Sequence, residues 1–208
     1  MLQTLVAFVA VSAVVICTPG QDTALTIRNT LSGGRRSGVT TAGGVALGQA
    51  LWTVAASAGI VAVLSASEPV FRALKLAGAA YLIFLGAESL YSALARRSRE
   101  DGIRRARVPS TPARALRQGL VSNLGNPKMA VFFASLLPQF APSGGGSFAV
   151  LLSLGLVFCT MTFAWLTLYA VAVARVRRLL AGPARRALEA LTGLVLVFFG
   201  ARLATESR

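Results

Sequence analysis

The sequence has no histidine among its 208 residues, seven acidic residues and two cysteines. Without an imidazole there is no histidine metal site and no Ser-His-Asp or Cys-His catalytic set, so any proton chemistry falls to carboxylates. Cys17 and Cys159 both lie inside apolar runs, where cysteine behaves as a small hydrophobe rather than as part of a disulfide framework. No glycine-rich phosphate loop and no clustered metal ligands occur. An enzyme is therefore not expected, and no cofactor is implied.

Apolar surface, by contrast, is abundant. Hydrophobic residues make up 55% of the chain and the mean hydropathy is +0.67, more than one soluble core of this size hides. Apolar runs near the roughly 20 residues needed to cross a bilayer occur at about 2–18, 39–64, 70–93, 119–141, 147–173 and 187–204. No Lys or Arg precedes the first run and no small-residue cleavage pattern follows it, so it reads as a membrane segment, not a removed leader. The fold class expected is an all-α integral membrane protein with about six transmembrane helices and the lipid bilayer as its solvent.

A net charge of +14 raises the question of nucleic acid. The placement of the charge argues against it. Sixteen of the 21 Lys and Arg residues fall in 28–38, 95–117 and 175–186, whereas the turns at 65–69 and 141–147 have none. Alternating basic and non-basic connections are expected of a multi-pass inner-membrane protein with those three basic loops cytoplasmic and both termini outside.

The basic stretch 95–117 splits the chain into two three-helix halves, 1–94 and 118–208. The halves look related: LIFLGAESL (Leu82–Leu90) and LVFFGARLA (Leu196–Ala204) place Gly86 opposite Gly200, and a proline breaks the first segment of each half, at Pro19 and Pro127. Three helices per half makes this a 3+3 inverted repeat, a common plan of secondary transporters.

The two breaks carry the polar chemistry. At Thr18-Pro19-Gly20-Gln21-Asp22 the helix is expected to stop and restart, with Thr18 as N-cap, Pro19 as first helical position and Asp22 in the first turn. Asn126-Pro127-Lys128 has the same pattern with Asn126 as N-cap, and Asn123 lies three residues earlier. Restarted half-helices leave unpaired N–H groups and a positive dipole end, which suit a substrate carboxylate. Ionisable side chains at membrane depth cost about 2.5–3.5 kcal/mol on insertion scales, so they are usually functional. The expected substrate-binding set is Asp22, Lys128, Asn126, Asn123 and Gly20. Asp22 would meet a substrate ammonium or the coupling proton, and Lys128 the carboxylate. The bland alternative is that Asp22 only caps a helix and Lys128 snorkels to the interface. Glu88 reads as a peripheral charge, and Gly44 and Gly48 as a close-packing pair within the chain, with a homodimer the other use of such a motif.

These residues resemble the LysE/RhtB family of amino-acid exporters. TPGQDTALTIRNTLSGGRRSG (Thr18–Gly38) is similar to that family's Pro-Gly-Pro-Asp segment and basic, glycine-rich turn. LKLAGAAYLIFLGAESL (Leu74–Leu90) and GLVSNLGNPKMAVFFASLLPQF (Gly119–Phe140) follow in the same order, the latter carrying the Asn-Pro-Lys. Gln21 stands where the family commonly has a second proline, leaving the first break to Pro19 alone. The resemblance implies export of amino acids or close derivatives, driven by the proton-motive force. With Asp22 the sole acid at a break, a neutral zwitterion is favoured over a cationic substrate. Two other classes compete: a membrane thiol-disulfide electron carrier, which needs Cys17 and Cys159 to meet, and a non-transporting scaffold, which has no need of two polar breaks.

Overall fold

A computed structural model describes residues 2–59, 111–140, 147–179 and 182–205, with positions 76, 79, 80, 83, 84, 86, 87, 90 and 91 between them. The described residues are helical or in turns, with no strand. Glu88, most of the basic stretch 95–117 and most of the third apolar run lie outside them.

Helix α1 (Leu2–Cys17) and helix α2 (Gln21–Gly33) meet at a 54° bend across residues 18–20. Pro19 causes the break, because it has no N–H to donate to the carbonyl of Val15, four residues back. The restart falls later than the capping pattern suggests. Gly20, in extended backbone, is the N-cap, while the Thr18 hydroxyl donates back to Val14 O (2.8 Å) and so belongs to the end of α1.

Stretch 28–38 is not a loop. Arg28 lies in α2 and Arg35 and Arg36 open helix α3 (Arg35–Ser57), with Gly34 alone between the two helices. Gly34 has φ 82°, a left-handed conformation that glycine adopts without steric cost, and this makes a one-residue corner. Residues 175–179 likewise complete a helix and 182–186 begin the next.

Helix α4 (Pro112–Leu124) starts at Thr111, whose hydroxyl accepts from Arg114 N, with Pro112 in first position. Gly125 and Asn126 interrupt it before helix α5 (Pro127–Val131). The backbone then widens into a π turn, Phe132–Leu136, and tightens into a 3₁₀ turn, Leu137–Phe140. Pro138 accounts for the irregularity, since a regular helix cannot carry its ring and missing donor. Helix α6 (Ser147–Leu179) has a 29-residue apolar stretch, Phe148–Val176, long enough to cross a bilayer. Helix α7 (Gly182–Thr205) follows. Among the described residues α6 alone is a continuous apolar span, and the bent α1–α2 pair forms a second.

Small residues let these helices approach. A Cβ on Gly44 of α3 would overlap Leu116 O of α4, and one on Gly119 of α4 would overlap Thr41 O of α3. Gly48 faces Asn123, so the glycine pair of α3 is used inside the chain, as expected. Gly155 brings α6 against Thr53, and Gly86 lies on α7 beside Gly193 and Val197. An aromatic cluster of Phe8, Phe132, Phe133 and Phe158 fills the space beside α5, with the rings of Phe132 and Phe158 stacked at 4.1 Å.

Large apolar side chains lie on the outside while several polar ones are buried. Val14 is 69% exposed and Phe198 61%, whereas Thr41 and Asn123 are fully buried. An apolar exterior that leaves polar side chains such as these to the interior, beside the buried aromatic cluster, is the arrangement a hydrocarbon solvent selects.

Candidate functional site

The two helix breaks meet. Asp22, one residue into α2 and 8% exposed, directs its carboxylate at the α4–α5 break. Its Oδ1 accepts from Ser122 Oγ at 3.0 Å, and its Oδ2 accepts from Asn123 Nδ2 at 3.0 Å and Asn126 Nδ2 at 2.9 Å. Gln21 Nε2 adds a bond to Ser122 O at 2.7 Å. Both oxygens of this buried carboxylate are thereby hydrogen-bonded, as a polar group withdrawn from water requires.

Asn126 serves both sides of this junction. Its Oδ1 accepts from Lys128 N at 3.1 Å, capping α5, while its Nδ2 holds Asp22. Pro127 takes the first helical position, so the sequence pattern at this break is realised as read. Asn123 and Asn126 do not share a continuous helix; the turn at Gly125 brings both amides to Asp22 instead.

Lys128 lies at the same junction but does not face Asp22 directly. Its ammonium donates to Val15 O and Thr18 O, both at 3.1 Å, at the carbonyl end of α1. A Cβ on Gly20 would stand 3.4 Å from Lys128 Nζ, in ordinary contact, so the ammonium lies over this glycine. The N-terminus of α2 has no side-chain cap, and its first amides point into the same break.

Sequence reading gives Ser122 and Gln21 no role in the site, Gln21 figuring only as a departure from the family pattern, although Ser122 belongs to a polar trio with Asn123 and Asn126 in an apolar run. Beside them, Trp52 Nε1 reaches Asn123 O at 3.4 Å, and Gln49 Nε2 reaches Met129 Sδ at 3.5 Å. Asn123 Oδ1 and Gln49 Oε1 have no hydrogen-bond partner among the described residues. A second buried polar cluster ties α2, α3 and α4 together: Asn29 Nδ2 donates to Thr41 Oγ1 and Gln118 Oε1, both at 2.9 Å. Cys17 is exposed, and Cys159 is buried with its Sγ 3.8 Å from Thr53 Oγ1. No group of three or more Cys, Asp and Glu side chains that could hold a metal occurs among the described residues.

Two interrupted helices that present free backbone ends and buried charge to each other, inside an apolar bundle, are the construction of a membrane transport protein. Residues 13–207 match the LysE type translocator family, and the chain belongs to that family. It is a transporter, not an enzyme. It is 30% identical to a protein named uncharacterized membrane protein YrhP from Bacillus subtilis (strain 168), over 96% of this chain and 97% of that one. It is 33% identical to a leucine efflux protein of Klebsiella pneumoniae over 92% of this chain and 90% of that one, and 31% identical to that of Salmonella typhimurium over the same shares. No solved structure matches the chain.

Proposed function

We propose that the protein exports amino acids, neutral zwitterions by preference, in exchange for protons, and that the junction of the two breaks is the substrate site. The observation that carries this reading is the Asp22 carboxylate held by Ser122, Asn123 and Asn126 from the opposite break. Family membership and the leucine efflux relatives support the substrate class. In this reading Asp22 alternates between the substrate's ammonium and a proton. Asn123, Asn126 and Gly20 line the site, Lys128 offers positive charge to the substrate carboxylate, and the uncapped amides of α2 add dipole. With no histidine in the chain, a carboxylate is the group left to carry the coupling proton.

Six spans in a 3+3 inverted repeat, with the basic segments cytoplasmic and both termini outside, complete the proposal. The pairing of the Pro19 and Pro127 breaks supports it, since a repeat puts its broken helices face to face. The test is efflux from proteoliposomes loaded with a panel of labelled amino acids, with and without a pH gradient. Gradient-dependent efflux of some of the panel, lost in Asp22→Asn and Lys128→Gln, is expected. Transport indifferent to the gradient removes proton exchange, and equal transport in the variants removes the site.

A further inference from the structure

The chemistry at Val15 and Thr18 goes beyond a snorkelling lysine. Pro19 has no N–H, so the Val15 carbonyl, among the last acceptors of α1, is left without the donor four residues on. The restart of α2 at Gln21 frees the Thr18 carbonyl as well. Both carry the negative end of the α1 dipole, and both accept from a primary ammonium, Lys128 Nζ, brought from another part of the chain. The ammonium uses two of its three donors there, lies over the open face of Gly20, and reaches Thr18 at an exposed edge of the break.

A zwitterionic amino acid carries the same group. Resting on the export reading above, we infer that the carbonyl end of α1 is a primary-ammonium site, occupied in this conformation by Lys128 and taken over by the substrate's α-ammonium as it enters, before that ammonium passes to Asp22. Lys128 is then a tethered competitor: it keeps the site filled when no substrate is bound and is released as substrate enters. Substrate carboxylate and ammonium hang on one carbon, so a released Lys128 is left beside the carboxylate. In the empty carrier Lys128 consequently keeps these two carbonyls paired.

The chain has two lysines, Lys75 and Lys128, which makes the site readable without a transport assay. The full chain in lipid nanodiscs is given a brief pulse of an acetylating reagent, and the ratio of Lys128 to Lys75 modification is measured by peptide mass spectrometry. The ratio cancels reagent consumed by free amine. Ethylammonium is expected to raise it severalfold, while tetramethylammonium, which has no N–H, and propionate leave it unchanged. An unchanged ratio with ethylammonium, or protection of Lys128 by propionate, would overturn the inference in favour of a simple carboxylate partner. Lys128→Ala supplies the second arm: ethylammonium is expected to raise its thermal midpoint more than that of wild type, and an equal response would count against the site. Neither arm depends on export, so failure of the efflux panel and failure of this inference remain separate outcomes.

Discussion

The carboxylate of Asp22 and the amide of Asn126 meet at 2.9 Å although 104 residues separate them in the chain. The effect of Asp22→Asn follows from this geometry. The new amide can turn its oxygen toward Asn123 and Asn126 and its nitrogen toward Ser122, whose hydroxyl accepts as readily as it donates. The fold is expected to survive, with normal abundance in the membrane. Efflux is expected to fall by about a hundredfold, near the upper end of the roughly 1.5–3 kcal/mol of a hydrogen bond to a charged group. Proteoliposome flux beside quantitative detection of membrane protein checks both halves.

The three donors to Asp22 are not equal. Ser122→Ala removes one bond and leaves two, so it is expected to be the mildest. Asn126→Ala removes a bond and also the cap of α5, adding about 1 kcal/mol of lost stability. Thermal unfolding of Ser122→Ala, Asn123→Ala and Asn126→Ala in one detergent checks the order, with Asn126→Ala the lowest.

Close packing of α3 on α4 separates glycines that look alike in sequence. Gly44→Leu and Gly119→Leu drive side chains into the backbone of the facing helix and are expected to abolish folded protein, overpacking costing at least about 1–3 kcal/mol. Gly43, next to Gly44, has nothing within 4 Å of its would-be Cβ. Gly43→Ala is expected to stabilise α3 by about 0.5–1 kcal/mol. Fluorescence-detected size exclusion after graded heating distinguishes the two.

The cluster of Asn29, Thr41 and Gln118 is expected to hold the helices without touching substrate. Asn29→Leu leaves the Gln118 carbonyl without its donor and is expected to cost about 1–3 kcal/mol. The thermal midpoint should drop while the KM for efflux of the preferred amino acid stays unchanged. A changed KM would extend the substrate site into this cluster.

The positions of Asp22, Asn123 and Asn126 were legible in the sequence because a polar residue in an apolar run is conspicuous. Their meeting was foreseen only as far as the two breaks were read as equivalent. Ser122 was missed because a lone serine is common in membrane helices as ordinary packing. The partners of Lys128 were in principle available, since Pro19 names the carbonyl it deprives, but the sequence does not say which donor answers it. The corner at Gly34 was hidden by its arginines, which read as loop. The irregular backbone after α5 falls inside an apolar run that reads as one segment past Pro127, and Pro138 explains it only once the π turn is seen. Asn29 and Gln118 lie far apart in the chain and follow no common period, so nothing local announced their bond.

Because Gly34 is a corner of a single residue, α2 has no slack relative to α3. Interlocking glycines bind α3 to α4, and Asn123 at the end of α4 returns to Asp22 on α2. These elements form a closed linkage, like a frame pinned at every joint, in which no member can tilt alone. Among the described residues, α1 and the irregular stretch from α5 to Phe140 are not part of this frame, and the bonds of Lys128 to Val15 and Thr18 join one to the other. The frame is thus the stiff part of the described fold, and the bonds of Lys128 are a joint that lies outside it.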